Sequence, residues 1–185
     1  MKNATFHDLK DQSIFITGGG AGIGADLTKG FLSQGAKVTF IQRSNPQKFL
    51  AECKGKYRHE PIFIECDVTN TEELKTALQV TAEKQGTISV LVNNAANDTR
   101  HTLDEFTSEQ WDSTMNVNLK PHFFAAQEVV KGMKKNGGGS IINFSSISYM
   151  MGNEGYPAYA TAKSAITGLT RSLARELGPF NIRVN

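Results

Sequence analysis

The chain has 185 residues, which suits one domain with its own hydrophobic core. Its net charge is +2, and its 21% of charged residues include no run of Lys and Arg long enough for a nucleic-acid-binding surface. No apolar stretch reaches the roughly 18 residues of a membrane-spanning helix, and residues 1–12 lack the apolar centre of a signal peptide. These features argue against nucleic-acid and membrane partners.

The cysteines and histidines indicate a metal-free protein of a reducing compartment. Cys53 and Cys66 have neither metal-ligand spacing nor the pattern of a disulfide framework. The four histidines are scattered and form no cluster with the cysteines. We therefore expect no metal site and a cytoplasmic location.

Strand and helix patterns alternate along the sequence. Short apolar and β-branched runs predict six strands, at residues 13–17, 37–42, 61–65, 88–92, 140–144 and 181–185. The segments between them predict helices at about 22–34, 46–54, 70–84, 108–135 and 157–177. Thr69 with Glu72, and Thr107 with Gln110, have the spacing of capping boxes for the third and fourth helices.

This alternation predicts an α/β fold of the Rossmann type. Alternating elements imply parallel strands joined by right-handed crossovers, and therefore a doubly wound parallel sheet with helices on both faces. The sequence has no internal repeat, linker or second composition regime, so residues 1–185 are interpreted as a single domain.

A glycine-rich turn follows the first predicted strand. Thr17 precedes Gly18, and Gly22, Ile23 and Gly24 open the next helix, a spacing one residue wider than the usual dinucleotide-binding fingerprint. Glycine permits a tight strand-to-helix turn and leaves room for a pyrophosphate, which the N–H groups at the helix N-terminus attract. The turn predicts a dinucleotide site; a chance glycine-rich turn is the alternative.

The end of the second strand bears on the choice of nucleotide. An acidic residue there would bind the ribose 2′-hydroxyl of NAD, whereas an arginine accommodates the 2′-phosphate of NADP. Here the strand ends in Gln42, Arg43 and Ser44, without a carboxylate. Because a guanidinium makes forked contacts to phosphate, Arg43 and Ser44 favour NADP(H) over NAD(H). The alternative is that Arg43 is only a solvated surface charge.

Tyr159 and Lys163 lie four residues apart in the last predicted helix, and Ser146 precedes the tyrosine by thirteen residues. Positions i and i+4 share a helix face. The ordinary tyrosine pKa of about 10 is too high for a base at neutral pH. A neighbouring ammonium and a cationic nicotinamide would lower that pKa by stabilising the phenolate. Ser146 would hold the substrate oxygen by a hydrogen bond.

Asn118 stands beside a predicted interruption of the fourth helix. Pro121 lacks an N–H, so the carbonyl of Val117 loses its usual helical donor. An opened turn beside a polar side chain would suit an ordered water. A purely structural asparagine is the alternative.

These residues, with the segment Asn-Asn-Ala-Ala at 93–96, make the sequence resemble the short-chain dehydrogenase/reductase family over essentially its whole length. The resemblance implies that Tyr159 is the general acid/base and that Ser146 orients the substrate. It implies that Lys163 binds the nicotinamide ribose and lowers the tyrosine pKa, and that Asn118 supports a proton relay through water. It also implies cofactor contacts at Asp67, Val68, Asn93 and Ala95.

The family resemblance further implies an NAD(P)-dependent oxidoreductase that interconverts an alcohol and a carbonyl, working as a homo-oligomer, either dimer or tetramer. A non-catalytic nucleotide-binding regulator or interaction module on the same fold is the alternative.

Residues 93–101, 116–119 and 123–127 look like those of members that act on sugars, such as aldose 1-dehydrogenases. Polar groups that would bond sugar hydroxyls, or else form a solvated loop, are Asn97, Asp98, Arg100 and His101. Family members continue beyond this length, so we expect the last strand or strands of the family fold to be missing.

Overall fold

All six predicted strands are present in a computed structural model, which describes residues 4–185. They are β1 (Ser13–Thr17), β2 (Lys37–Gln42), β3 (Ile62–Glu65), β4 (Ile88–Asn93), β5 (Gly139–Asn143) and β6 (Ile182–Val184). The helices are α1 (Gly22–Ser33), α2 (Gln47–Cys53), α3 (Thr71–Gln85), α4 (Ser108–Asn118), α5 (Lys120–Lys135), α6 (Ser148–Met151) and α7 (Pro157–Leu177). Short 3₁₀ turns at His7–Leu9 and Gly178–Phe180 were not predicted, and neither was α6.

The strands form one parallel sheet in the order β3-β2-β1-β4-β5-β6. The chain begins at the centre with β1, moves outward to β3 and then crosses back to β4. This reversal leaves a crevice at the carboxyl ends of β1 and β4, where doubly wound sheets bind ligands. The predicted Rossmann-type fold is confirmed.

Successive residues of a strand point to opposite faces of the sheet, so both faces carry apolar side chains. Helices cover both of these faces. On one face the sheet packs against α3, α5 and α7 through Phe15, Ile41, Leu91 and Ile141. On the other it packs mainly against α1 and α2 through Ile14, Ile16, Phe40, Val90 and Val92. Burying each such side chain stabilises the fold by about 1.5–3 kcal/mol, which fixes the strand register that positions the crevice.

The capping box predicted at Thr69 is wrong. Asn70 caps α3 instead, because its Oδ1 accepts from the N–H groups of Glu72 (3.2 Å) and Glu73 (3.3 Å). Thr69 is engaged one turn earlier, where its N–H and hydroxyl both donate to Asp67 Oδ1 at 2.9 and 2.8 Å. The second box, Thr107 with Gln110, is confirmed at the start of α4.

The helix predicted over 108–135 is two helices. Leu119, with φ −129° and ψ −54°, separates α4 from α5, and Pro121 lies in the first turn of α5. Proline is tolerated there because first-turn positions need no helical N–H donor. The interruption expected from Pro121 is confirmed, and it leaves Asn118 as the last residue of α4.

Within residues 4–185, no helix combines the length and the apolarity needed to cross a bilayer.

Candidate active site

The glycine-rich turn between β1 and α1 has the conformation that its composition predicts. Gly18 and Gly22 have φ values of +71° and +49°, in the left-handed region that favours glycine. A Cβ at Gly24 would overlap the carbonyl oxygen of Gly18. The buried hydroxyl of Thr28 donates to the carbonyl of Gly19 at 2.8 Å and holds the turn from behind. No local pattern around Thr28 predicts this role.

Thr17 and Asn94 join the carboxyl ends of β1 and β4. The Thr17 hydroxyl oxygen accepts from the N–H groups of Asn94 and Ala95, both at 2.9 Å. Asn94 Nδ2 donates in return to the carbonyls of Thr17 (3.0 Å) and Gly18 (3.2 Å). Thr17 is buried, so it shapes the crevice from inside the fold. The linking role of Asn94 was missed, although the residue lies within the family-like segment.

A cleft of about 620 Å³ opens above this junction, within the size range of small-molecule sites. The ends of four strands contribute to it. Of the predicted cofactor residues, it is lined by Gly18, Ile23, Gly24, Arg43, Ser44, Asp67, Val68 and Ala95. The other predicted cofactor residues, Thr17, Gly22, Asn93, Tyr159 and Lys163, are not part of its lining. The open glycine turn, the N-terminus of α1 and the polar walls fit a dinucleotide.

The far wall of the cleft carries the predicted nucleotide-selecting residues. Gln42 Nε2 donates to the carbonyl of Ser44 at 2.7 Å, which orders the turn after β2. Arg43 is exposed and lines the cleft together with Asp67. Asp67 Oδ1 is already engaged by Thr69, so that oxygen stabilises its own turn.

Three of the four predicted catalytic residues are grouped around the first turns of α7. Tyr159 and Lys163 lie on α7, with Lys163 Nζ 5.7 Å from the centroid of the Tyr159 ring. Ser146 lies in the segment between β5 and α6, and its hydroxyl acts on the Tyr159 phenol. Lys163 is fully buried and donates to the carbonyl of Phe144 at 2.7 Å. The same-face prediction for Tyr159 and Lys163 is confirmed.

The expected lowering of the Tyr159 pKa is wrong for the chain by itself. Burial raises the pKa of Tyr159 above its ordinary value, and the charges of Asp98 and Tyr156 add to the rise, while the hydrogen bond of Ser146 opposes it. Burial also lowers the pKa of Lys163 to about 8. Lys163 has therefore largely lost its charge at the pH where the phenol begins to ionise.

Asn118 is fully buried and links the end of α4 to the loop after β4. Its Nδ2 donates to the carbonyls of Asn97 (2.9 Å) and Thr114 (3.0 Å), and its Oδ1 accepts from Asn97 N–H at 2.9 Å. Asn118 therefore has a definite structural task, and its part in a proton relay stays a prediction.

The polar loop 97–101 is largely engaged within the protein. Asn97 Oδ1 accepts from the N–H and hydroxyl of Thr99, and the Arg100 guanidinium lies over the Tyr156 ring at 3.9 Å. Asp98 is exposed, and its charge helps to raise the Tyr159 pKa.

A buried polar layer under the site was not predicted. Asn93 Nδ2 donates to Asn143 Oδ1 at 2.9 Å, and Asn143 Nδ2 donates to the Thr170 hydroxyl at 3.0 Å. These bonds tie β4, β5 and α7 together. His122 is buried beside them; burial and the Lys163 charge lower its pKa to about 3.

Comparison with known proteins decides the family. The short chain dehydrogenase family matches residues 12–185. The chain belongs to this family. Membership confirms an NAD(P)-dependent oxidoreductase that interconverts alcohols and carbonyls.

Its relatives include sugar dehydrogenases. D-xylose 1-dehydrogenase from Caulobacter vibrioides is 48% identical over 186 residues, covering 100% of this chain and 73% of the relative. "Probable galactose dehydrogenase GalD" from Rhizobium meliloti is 45% identical over 188 residues, with the same coverage. The ligand-free structure of Thermoplasma acidophilum aldohexose dehydrogenase superposes with a TM-score of 0.86 at 32% identity, covering 97% of this chain and 66% of that one.

Proposed function

We propose that this chain is the dinucleotide-binding and catalytic domain of an aldose dehydrogenase, with Tyr159 as the proton-transferring group. The observation that carries the proposal is the grouping of Tyr159, Lys163 and Ser146 at the carboxyl ends of the central strands. That edge also bears the nucleotide cleft. A regulator that only bound nucleotide would not need a buried lysine beside a tyrosine and a serine.

Each of the four proposed catalytic side chains has its own role in the reaction. Ser146 holds the substrate oxygen next to the phenol. In the reducing direction the neutral Tyr159 donates its proton to that oxygen; in the oxidising direction its phenolate accepts the proton from the substrate hydroxyl. When bound, the oxidised nicotinamide supplies the hydride acceptor and a positive charge. Lys163 anchors the ribose, and Asn118 supports the relay that returns the proton to solvent.

We propose that the enzyme prefers NADP(H) over NAD(H). Arg43 and Ser44 follow β2 at its wall, where a 2′-phosphate would meet the guanidinium, and β2 itself ends without a carboxylate. The glycines of the turn, with Thr17 behind them, would hold the pyrophosphate. Asp67 and Val68 would contact the adenine, and Asn93 with Ala95 would border the cofactor.

The substrate class is an aldose oxidised at its anomeric hydroxyl. The two sugar dehydrogenases of 45–48% identity support this assignment, and so does the fold match to an aldohexose dehydrogenase. Within this chain, the Asp98 carboxylate lies near the catalytic phenol and can accept hydrogen bonds from sugar hydroxyls.

We further propose a homo-oligomer, a dimer or a tetramer, in the cytoplasm. Exposed aromatic residues on α4 and α5, Trp111 and Phe123, support a helix-mediated interface. Cys53 and Cys66, both buried and free in the described part of the chain, fit a reducing compartment. Light scattering of the purified protein would test the oligomer: a monomeric mass contradicts it.

The experiment that tests the catalytic proposal follows reduced nicotinamide by its near-ultraviolet absorbance. D-xylose, D-galactose, D-glucose and a non-sugar alcohol are each supplied with NADP⁺ or NAD⁺. We expect turnover of at least one sugar, and Tyr159→Phe should lower it by about a hundredfold or more while nucleotide still binds.

The matched control is Tyr149→Phe, which removes a hydroxyl of α6 that bonds to Thr167 of α7 and should keep most activity. Undiminished turnover in Tyr159→Phe would refute the role of Tyr159. Turnover of the non-sugar alcohol alone would refute the aldose assignment.

A further inference from the structure

The N-terminus of α7, the helix that carries Tyr159, has no side-chain cap from its own N-cap residue. In the described part of the chain, its N-cap residue Tyr156 makes no side-chain capping bond, and Pro157 has no N–H to donate. The first helical N–H is therefore that of Ala158, a residue only 1% exposed. A buried N–H needs an acceptor from elsewhere in the fold.

His101 supplies that acceptor from the loop after β4. The N–H of Ala158 donates to His101 Nε2 at 3.2 Å, across 57 positions of sequence. Because Nε2 accepts, Nδ1 must carry the ring proton, and it donates to the carbonyl of Thr99 at 3.2 Å. The imidazole is held further by stacking on Phe106, with ring centroids 3.7 Å apart.

The loop after β4 makes two more contacts with the turn before α7. The backbone N–H of His101 donates to the carbonyl of Gly155 at 2.8 Å. The Arg100 guanidinium covers the Tyr156 ring at 3.9 Å. Tyr156 in turn packs edge-on against Tyr159, with centroids 5.6 Å apart and an interplanar angle of 90°. Arg100 therefore contacts Tyr156, and Tyr156 contacts Tyr159, the proposed catalytic residue.

We propose that His101 is a positioning residue that caps α7 and, with Arg100 clamping Tyr156, fixes the orientation of Tyr159. This inference rests on the proposed function for the catalytic role of Tyr159. Both ring nitrogens of His101 are engaged within the protein, so this role replaces the sequence hypothesis that His101 binds sugar hydroxyls. Arg100 makes one long bond, from Nη1 to the carbonyl of Glu154 at 3.5 Å. Asp98 remains the loop side chain facing the substrate, so one loop both contacts the sugar and holds the proton donor.

A pair of His101 variants separates capping from stacking. His101→Phe keeps a ring that can stack on Phe106 but removes the acceptor, whereas His101→Gln retains an oxygen near the position of Nε2. The readouts are hydrogen exchange at the Ala158 amide and steady-state kinetics of the wild-type reaction. His7→Phe, at an exposed histidine of the N-terminal turn, is the control.

For His101→Phe we expect exchange at Ala158 to rise about tenfold or more. We expect kcat to fall about tenfold or more because the phenol is misplaced, with the KM for nucleotide unchanged. His101→Gln should restore both within about threefold, since it restores the bond that orients the helix. If His101 only stabilised the fold, His101→Phe would lower thermal stability, and His101→Gln would not restore kcat. In that case kcat and the KM for nucleotide would also change together.

Unchanged Ala158 exchange in His101→Phe, or faster exchange with unchanged kcat, overturns the proposal. If the wild type turns over no sugar, the proposed function fails, while the exchange comparison still decides whether His101 caps the helix. Should His101→Phe not fold, Arg100→Lys replaces it. That variant keeps the charge but loses the planar stack, so kcat should fall while Ala158 exchange stays at the wild-type rate; an unchanged kcat overturns the clamp.

Discussion

Lys163 donates its Nζ hydrogen bond to the carbonyl of Phe144, not to the phenol of Tyr159. The ammonium is thus directed at the end of β5 and lies 5.7 Å from the tyrosine ring centroid. Burial, which lowers the pKa of Lys163 to about 8, weakens its influence on the phenol still further. Without nucleotide, the chain therefore does not contain an activated tyrosine.

The first prediction concerns the ionisation of Tyr159 without nucleotide. Burial raises its pKa above the ordinary value of 10.0, so its phenolate should form at higher pH than that of a solvent-exposed tyrosine. The measurement is an ultraviolet titration of the tyrosinate band, taken as wild type minus Tyr159→Phe so that the other tyrosines cancel. A Tyr159 phenolate appearing near pH 7–8 in the nucleotide-free protein would contradict this account.

The second prediction concerns Gly24, where a side chain would overlap the carbonyl of Gly18. Gly24→Ala must displace the glycine-rich turn, so it should cost about 1–3 kcal/mol of the free energy of unfolding and weaken nucleotide binding about tenfold or more. Chemical denaturation and calorimetric titration with NADP⁺ measure the two effects.

The control for that variant lies two turns further along α1. Apart from its two chain neighbours and the backbone of its own helix, no described residue has an atom within 4 Å of a Cβ at Gly30. Gly30→Ala should therefore stabilise the helix by about 0.5–1 kcal/mol and leave nucleotide affinity unchanged. Equal losses of nucleotide affinity in both alanine variants would show that the turn does not depend on close approach at Gly24.

The third prediction tests the nucleotide preference. Arg43→Gln removes the guanidinium from the cleft wall, and a hydrogen bond to a charged group contributes about 1.5–3 kcal/mol. NADP⁺ affinity should fall about tenfold or more, while NAD⁺ affinity should change little. Arg58→Gln, which removes an exposed ion pair to Asp11 outside the cleft, is the control. A parallel loss for both nucleotides would refute 2′-phosphate recognition by Arg43.

The fourth prediction is an acid sensitivity that originates at His122. Burial lowers its pKa to about 3, and among residues 4–185 neither ring nitrogen has a hydrogen-bond partner. Between about pH 3 and 6.5 the His122 imidazole is protonated in the unfolded chain but neutral in the folded chain. The free energy of unfolding therefore rises with pH across this window and falls on acidification. Fully developed, the difference amounts to about 5 kcal/mol.

Denaturation curves from pH 4 to 7 measure that dependence. His122→Leu replaces the imidazole with an apolar side chain and should remove most of the loss, because no buried base remains to protonate. His7→Leu, at an exposed site, should keep the wild-type pH dependence. An undiminished acid loss in His122→Leu would assign the sensitivity to other groups.

The elements themselves followed from local patterns. β1, β2 and α7 begin and end at the predicted residues, and the other strands agree within about two residues. The turn glycines and the Thr107 cap were identified because their conformations depend on neighbours in the sequence. The cap at Asn70 was assigned to the wrong residue, since Thr69 and Asn70 both suit an N-cap and the turn at Asp67 decided between them.

The sequence by itself determined the alternation of strands and helices, the open turn at the nucleotide cleft and the shared face of Tyr159 and Lys163, because each depends on a few adjacent dihedral angles. Only the tertiary structure decided where the Lys163 ammonium points, which histidine caps α7 and how burial changes the pKa values of Tyr159 and His122. Those properties depend on desolvation and on hydrogen-bond partners tens of residues away in sequence, such as His101 and Ala158, which meet only when the loop after β4 and the start of α7 pack together.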